Sequence, residues 1–275
     1  TDMTWSVIGP ADPARRNRTE THVTVELDAG GNALVTYARD YSGMDAAVFL
    51  KAYVEMTPEE KRRRFQEIVS QVSRSAEPKG PYEVVTDRKG PRESFTLAVP
   101  ALACVREGIL TLDVPGLVRR LAFVASRARR APLSVQSEGD MSVVVEVRLP
   151  EETATVISAP VGTYRADVRG IVEIESRGEV RMDGGQGRVF VLMEQRIRTR
   201  PGTVWPADYD GVLAVHDRLA APGSCVVMAR LREKPRVGGV VHVVPIVGAG
   251  RHGTLGSPQP SSTLRPDVST ARDTR

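Results

Sequence analysis

A chain of 275 residues with 41% apolar and 26% charged side chains is long enough to bury a core, and aromatics at 5% leave that core to Val, Leu, Ile and Ala. No run approaches the roughly 20 apolar residues that a membrane-spanning helix needs, and the longest apolar stretch, 240–247, is broken by His242 and Pro245. The net charge of +4 sits largely at one end: residues 233–275 hold six basic and three acidic residues, which leaves only +1 for residues 1–232 and argues against a nucleic-acid partner for the body.

Residues 1–18, rich in Pro, Arg and Asp, predict an irregular lead-in without the basic-then-apolar pattern of a signal peptide. Because the chain does not start with Met, it reads as a piece of something longer. The first regular element follows at once. Val23, Val25 and Leu27 alternate with Thr24, Glu26 and Asp28, and the alternation resumes at Ala33, Val35 and Tyr37. The tip between them, Asp28-Ala29-Gly30-Gly31-Asn32, faintly resembles a calcium loop. Counting Asp28 as position 1, however, position 3 is Gly30 and position 12 is Arg39, where a calcium loop needs an oxygen ligand and a bidentate Glu. Gly and Asn suit a tight hairpin, so the tip is expected to turn the chain.

From Met44 the period lengthens, and Ala46, Ala47, Phe49, Leu50 and Tyr53 predict a short helix. A second helix is marked by Thr57 as N-cap, Pro58 at the first helical position and Glu60 closing a capping box, with Phe65, Ile68, Val69 and Val72 as its apolar stripe. The basic run 61–64 falls on the wet side of that helix. Strands are expected at 82–87, 94–105, 109–114 and 141–150, then through "TATVISAP", "TYRADV", "IVEIESRGEVRM" and "RVFVLMEQRIRT", with a turn at 183–187. The stretch 116–130 settles on no face. A last helix starts at Pro206 and stops at Pro222-Gly223, with Tyr209, Val212, Leu213, His216 and Leu219 along one side, and "SCVVMARL" ends the ordered part as a strand. Residues 233–275 read as a flexible tail. The expected architecture is α+β, mostly antiparallel and sandwich-like, with about three helices. Its parts are the lead-in, a first β-rich part with helices over 19–130, a second over 131–232, and the tail.

Three constellations suggest chemistry. Gly248, Gly250 and Gly253 spell the dinucleotide fingerprint with Asp267 downstream, but Pro258 and Pro260 forbid the helix whose N-terminus would meet a pyrophosphate, so no cofactor is expected. Cys225 and His242 could form a thiol enzyme's pair, although the β-branched "CVVMARL" suits a buried strand better than a catalytic helix N-terminus. Cys104 reads as a second buried thiol, and a Cys104–Cys225 bridge stays open. Arg119, Arg120, Arg127, Arg129 and Arg130 could together bind nucleic acid. His22, His216 and His252 lack the spacing of a metal site. No catalytic, cofactor-binding or metal-ligating residue is assigned.

The order of segments resembles a known family. "NRTETHVTVELDAGGNALVTYARDYSG" before a short helix and "TPEEKRRRFQEIV", then "RRAPLSV", "VVVEVRLPEETATVISAP" and the helix with "WPADYDGVL", is similar to the region that follows the catalytic core in bacterial transglutaminase-like proteins. The likeness spans residues 17–231. It implies a non-catalytic accessory region, a Cys–His–Asp core upstream in the same polypeptide, a periplasmic or cell-surface location, and contacts with protein or cell-wall-type partners. It transfers no catalytic residue to this sequence.

Overall fold

A computed structural model describes residues 17–87, 90–124, 126–136, 138–182 and 187–232. Within them fifteen strands and three α-helices form. The strands in chain order are β1 (Arg18–Leu27), β2 (Ala33–Ser42), β3 (Glu77–Pro78), β4 (Glu83–Asp87), β5 (Gly90–Val99), β6 (Ala103–Arg106), β7 (Ile109–Asp113), β8 (Leu133–Val135), β9 (Gly139–Arg148), β10 (Thr153–Ser158), β11 (Gly162–Val168), β12 (Val172–Met182), β13 (Val189–Thr199), β14 (Gly202–Val204) and β15 (Val226–Leu231). The helices are α1 (Gly43–Glu55), α2 (Pro58–Val72) and α3 (Tyr209–Ala220). The expected α+β, mainly antiparallel architecture is what forms.

The main sheet has nine strands in the order β11-β12-β13-β9-β1-β2-β5-β3, with β4 also on β5. All its pairs are antiparallel except β1 with β9, which run parallel from Thr19↔Met141 to Glu26↔Arg148. That pair joins the 19–130 and 131–232 segments into one sheet. Side-chain parity then does the sorting. Val23, Val25, Val35, Leu97, Val145 and Val191 point to one face and are buried. A second sheet, β10-β15-β7-β6, and helix α2 lie over the middle of this face, and α3 covers Val172, Ile174 and Ile197 at one end.

The other face of the main sheet carries opposite charges on neighbouring strands. Arg148 pairs with Glu26 and Glu146, Arg165 with Glu175, Arg196 with Asp140, and Arg198 with Glu173. Each exposed pair contributes only about 0–1 kcal/mol. Their combined effect is to keep the face wetted without a large single-sign field.

Local signals account for most element ends. The Asp28 carboxylate accepts from the Gly30 and Asn32 backbone N–H groups and from the Asn32 amide, which holds it below the usual carboxylate range. The tip turns the chain by satisfying itself. Gly31 has φ +86°, and a Cβ there would fall 2.1 Å from the Ala103 carbonyl oxygen. At the same point Ala103 N–H donates to Gly31 O (2.9 Å) and Ala101 N–H to Asn32 Oδ1 (3.1 Å). The capping box of α2 closes as read, Thr57 Oγ1 accepting from Glu60 N–H while the Glu60 carboxylate accepts from Thr57 N–H. Phe65, Ile68, Val69 and Val72 face the core.

Several expectations are corrected. Residues 94–105 are not one strand: β5 ends at Val99, Pro100 and Ala101 (φ +49°) turn the chain, and β6 joins the second sheet. The described residues of the 116–130 stretch form neither helix nor strand. Val215, not named in the apolar side of α3, is among its buried residues. Of the lead-in over 1–18, Arg18 already belongs to β1, while its residues 1–16, most of the turn at 183–187 and the tail over 233–275 lie outside the described residues.

Two glycines separate packing from propensity. A Cβ on Gly178 would sit 1.5 Å from the Pro160 carbonyl oxygen, so Gly178→Ala must push the β10–β11 connection away. It is expected to cost about 1–3 kcal/mol in urea denaturation. Gly211, exposed in α3, has its nearest neighbour at 3.7 Å, and Gly211→Ala should instead stabilise by about 0.5–1 kcal/mol in the same measurement.

Candidate functional site

The densest chemistry among the described residues is a buried carboxylate that the sequence motifs did not point to. Glu93 on β5 is wholly buried. Tyr41 Oη donates to its Oε1 (2.6 Å) and Tyr82 Oη to its Oε2 (2.5 Å). The guanidinium groups of Arg39 on β2 and Arg64 on α2 each stand 3.7 Å away. Arg39 is itself oriented by donating from Nε to the buried Thr21 hydroxyl (3.0 Å). Rings wall in the cluster: Tyr41 stacks on Phe49, Phe65 on Tyr82, and Tyr37 on Phe95.

Most of the chain's phenylalanines and tyrosines gather here, between the main sheet and the α1–α2 pair. Burial, then the bonds to Glu93, push both the Tyr41 and the Tyr82 hydroxyl far above the ordinary tyrosine range. Two hydroxyl donors and two guanidinium charges from β2, α2 and the β3–β4 connection thus converge on one β5 side chain. Each is directed at the carboxylate, which suits a clamp holding the helices on the sheet rather than a catalytic base awaiting a substrate.

The residues named from sequence are dispersed. Cys225 follows a 3-10 turn (Pro222–Ser224) ahead of β15 rather than lying within a strand, and its buried Sγ is 3.6 Å from the Ala221 carbonyl. Burial pushes its thiol up, with Arg119 opposing and Asp113 adding to the rise. A nucleophilic thiol needs the reverse. His242 lies outside the described residues, as do Gly248, Gly250, Gly253, His252 and Asp267. Cys104, expected buried, is exposed on β6, and both cysteines are free thiols. The physical reason is parity: Ala103 takes the inward position beside it. His216 Nδ1 accepts from the Leu121 backbone N–H (3.2 Å) and anchors the 116–130 stretch to α3.

The arginines of that stretch do not act together. Arg119 pairs with Asp113, Arg127 is bidentate to Asp217 (3.0 and 3.2 Å), and Arg129 lies over the Tyr209 ring. Arg120 and Arg130 are exposed. Partners already on the protein neutralise two of the five charges.

The feature best suited to engaging another molecule is a groove of about 690 Å³ beside β10. Ile157 and Val161 line one side, and Val180 and Met182 of β12 form its floor. These are large apolar residues left exposed. No helix of the described residues is long and apolar enough to cross a membrane.

No family model matches the chain, and neither a curated protein nor a solved structure matches it.

The clamp predicts an alkaline stability profile. Tyr41 and Tyr82 hold their protons in the folded state at pH values where an unfolded tyrosine, with a pKa near ~10, loses them. Their contribution is therefore full below about pH 10 and declines above it as only the unfolded chain releases protons. Urea titrations from pH 8 to 11 should show a steeper fall for the native chain than for the Tyr41→Phe/Tyr82→Phe double variant. At pH 7, Glu93→Ala should cost about 2–5 kcal/mol, chiefly by leaving the Tyr41 and Tyr82 hydroxyls without their acceptor while the partly exposed Arg39 and Arg64 turn to solvent, and Tyr82→Phe about 1.5–3 kcal/mol.

Proposed function

We propose that this chain is a non-catalytic accessory region of a transglutaminase-like cell-envelope protein, a β-rich scaffold that contacts a polypeptide partner while catalysis is carried by a core elsewhere in the same protein. The observation that carries the contact role is the apolar groove beside the edge of β10 that no strand of the described residues occupies. Exposed Ile157, Val161, Val180 and Met182 lie together there, where a finished sandwich would bury them.

The segment order supports the family reading. "RRAPLSV" leads into β8, the "RLP" motif ends β9, and "WPADYDGVL" opens α3 with Tyr209 buried beneath it. Tyr209 Oη donates to the Ser126 carbonyl (2.5 Å), and β8 pairs with β14 just ahead of α3. The quoted motifs thus serve packing. The non-catalytic reading is supported by the buried, raised thiol of Cys225 and by the saturated carboxylate of Glu93.

Thiol labelling tests the reading against a thiol enzyme. At pH 7 a maleimide should label Cys104 within minutes and Cys225 only after denaturation, and acyl-transfer and amide-hydrolysis assays should give the same background for the native chain and Cys225→Ala. Rapid labelling of native Cys225 together with an activity that Cys225→Ala abolishes would overturn it.

A further inference from the structure

The second sheet ends one strand too early. Val180 on β12 is directly opposite Val191, which is fully buried in the core, yet Val180 is 42% exposed and Met182, two residues on, is 69% exposed. Both point to the core-facing side of the main sheet. Among the described residues the sheet that should cover them stops at β10, which pairs with β15 alone. A fifth strand beside β10 would lie over Val180 and Met182 and extend the existing sheet-on-sheet packing.

The other ends of the two larger sheets are guarded. Edge strand β11 carries Arg165 and Asp167, β3 is Glu77-Pro78, β4 contains Glu83, and β6 ends in Arg106. Charges and prolines at an edge discourage a further strand. The β10 sequence, "TATVIS", has neither. Its two register shifts against β15 leave Ala154, Thr155, Ile157 and Ser158 exposed. Such bulges twist a strand and limit addition to a short segment, which disfavours open-ended stacking of copies.

The electrostatics select the added strand. β10 and the apolar floor carry no charge, and Arg181, the one charged lining residue, is paired with Glu179. A charged segment would lose hydration there without meeting a free counter-charge. An uncharged segment with β-branched side chains would bury them on Val180 and Met182 while its backbone pairs with β10, the strand-addition mode of peptide recognition.

We propose that the groove beside β10 is a strand-addition site for a partner polypeptide, which supplies an extended, uncharged segment of about six residues with β-branched side chains at alternate positions. The site deepens the contact role proposed above and rests on that reading.

A fluorescent Thr-Val-Thr-Val-Thr-Val peptide with a solubilising polyethylene glycol tail tests it on the full chain. Saturable binding is expected, with slowed hydrogen exchange at the 154–158 amides. The Val180→Lys/Met182→Lys variant, altered only at exposed positions and checked for an unchanged melting temperature, should weaken binding at least tenfold. Ile157→Lys should do the same, and a peptide with Glu at the Val positions should not bind. Absence of binding, binding without protection of 154–158, or binding indifferent to both variants would overturn the site, as would self-association of the chain through β10 in place of peptide capture. Failure here with Cys225 still unreactive leaves the accessory reading standing, whereas a reactive Cys225 removes that reading whatever the peptide does.

Discussion

The pairing of β1 with β9 decides what the rest of the chain can build. These strands run parallel, so no tight turn could join them, and all of 28–138 becomes the connection. That connection is used twice over. It extends the main sheet through β2 and β5 and then leaves it to start the second sheet with β6 and β7. Val23, Val25, Val145 and Val147, side by side across this seam, are almost completely buried. Contacts so distant in sequence form late and slowly, so the hairpin, the helices and the β11–β13 meander are expected to wait on this seam before either half has a finished core.

The Glu93 clamp is a second constraint, set where the hydrophobic pattern alone would leave the α1–α2 pair loosely placed. Of the α1 residues only Phe49 is buried, and Met44, Val48 and Val54 are exposed. Apolar contact therefore fixes that helix weakly. The aromatic stack and the carboxylate beneath it provide direction, because hydrogen bonds to a buried anion tolerate little misalignment. Breaking such a cluster by removing Glu93 costs more than forming it contributes, since the Tyr41 and Tyr82 hydroxyls lose the acceptor that their burial requires.

How far the sequence discloses this depends on the range over which a signal acts. The Thr57–Glu60 capping box, the Asp28–Asn32 turn and the stops at Pro150 and Pro222 are local, and the fold follows them. The split of 94–105 was hidden by unbroken apolar character from Leu97 through Val105, with Pro100 as the one warning. Glu93 and Arg39 were half legible. Each shares parity with a buried row, Phe95, Leu97 and Val99 in one case and Ala33, Val35 and Tyr37 in the other, and so each had to point inward. That they meet depends on the Arg39↔Glu93 register between β2 and β5, which no local pattern specifies. The groove was illegible for the same reason: the lack of charge in "TATVIS" is plain to read, but its place at the edge of a sheet is a matter of topology.

The hairpin tip carries a consequence of a different kind. A short, polar, glycine-rich hairpin loop is where a protein engineer would first insert an epitope or a linker. Here the Gly31 carbonyl and the Asn32 side-chain oxygen hold β6 and the turn before it by accepting from two backbone N–H groups, and the space over Gly31 is filled by a carbonyl of the opposite sheet. The loop works as a rivet between layers. Lengthening it would part the layers at that corner, whereas the connection between β6 and β7, exposed at Arg106 and Glu107 and tied through Gly108 O to Leu231 N–H (2.8 Å) of its own sheet, would take an insertion without parting them.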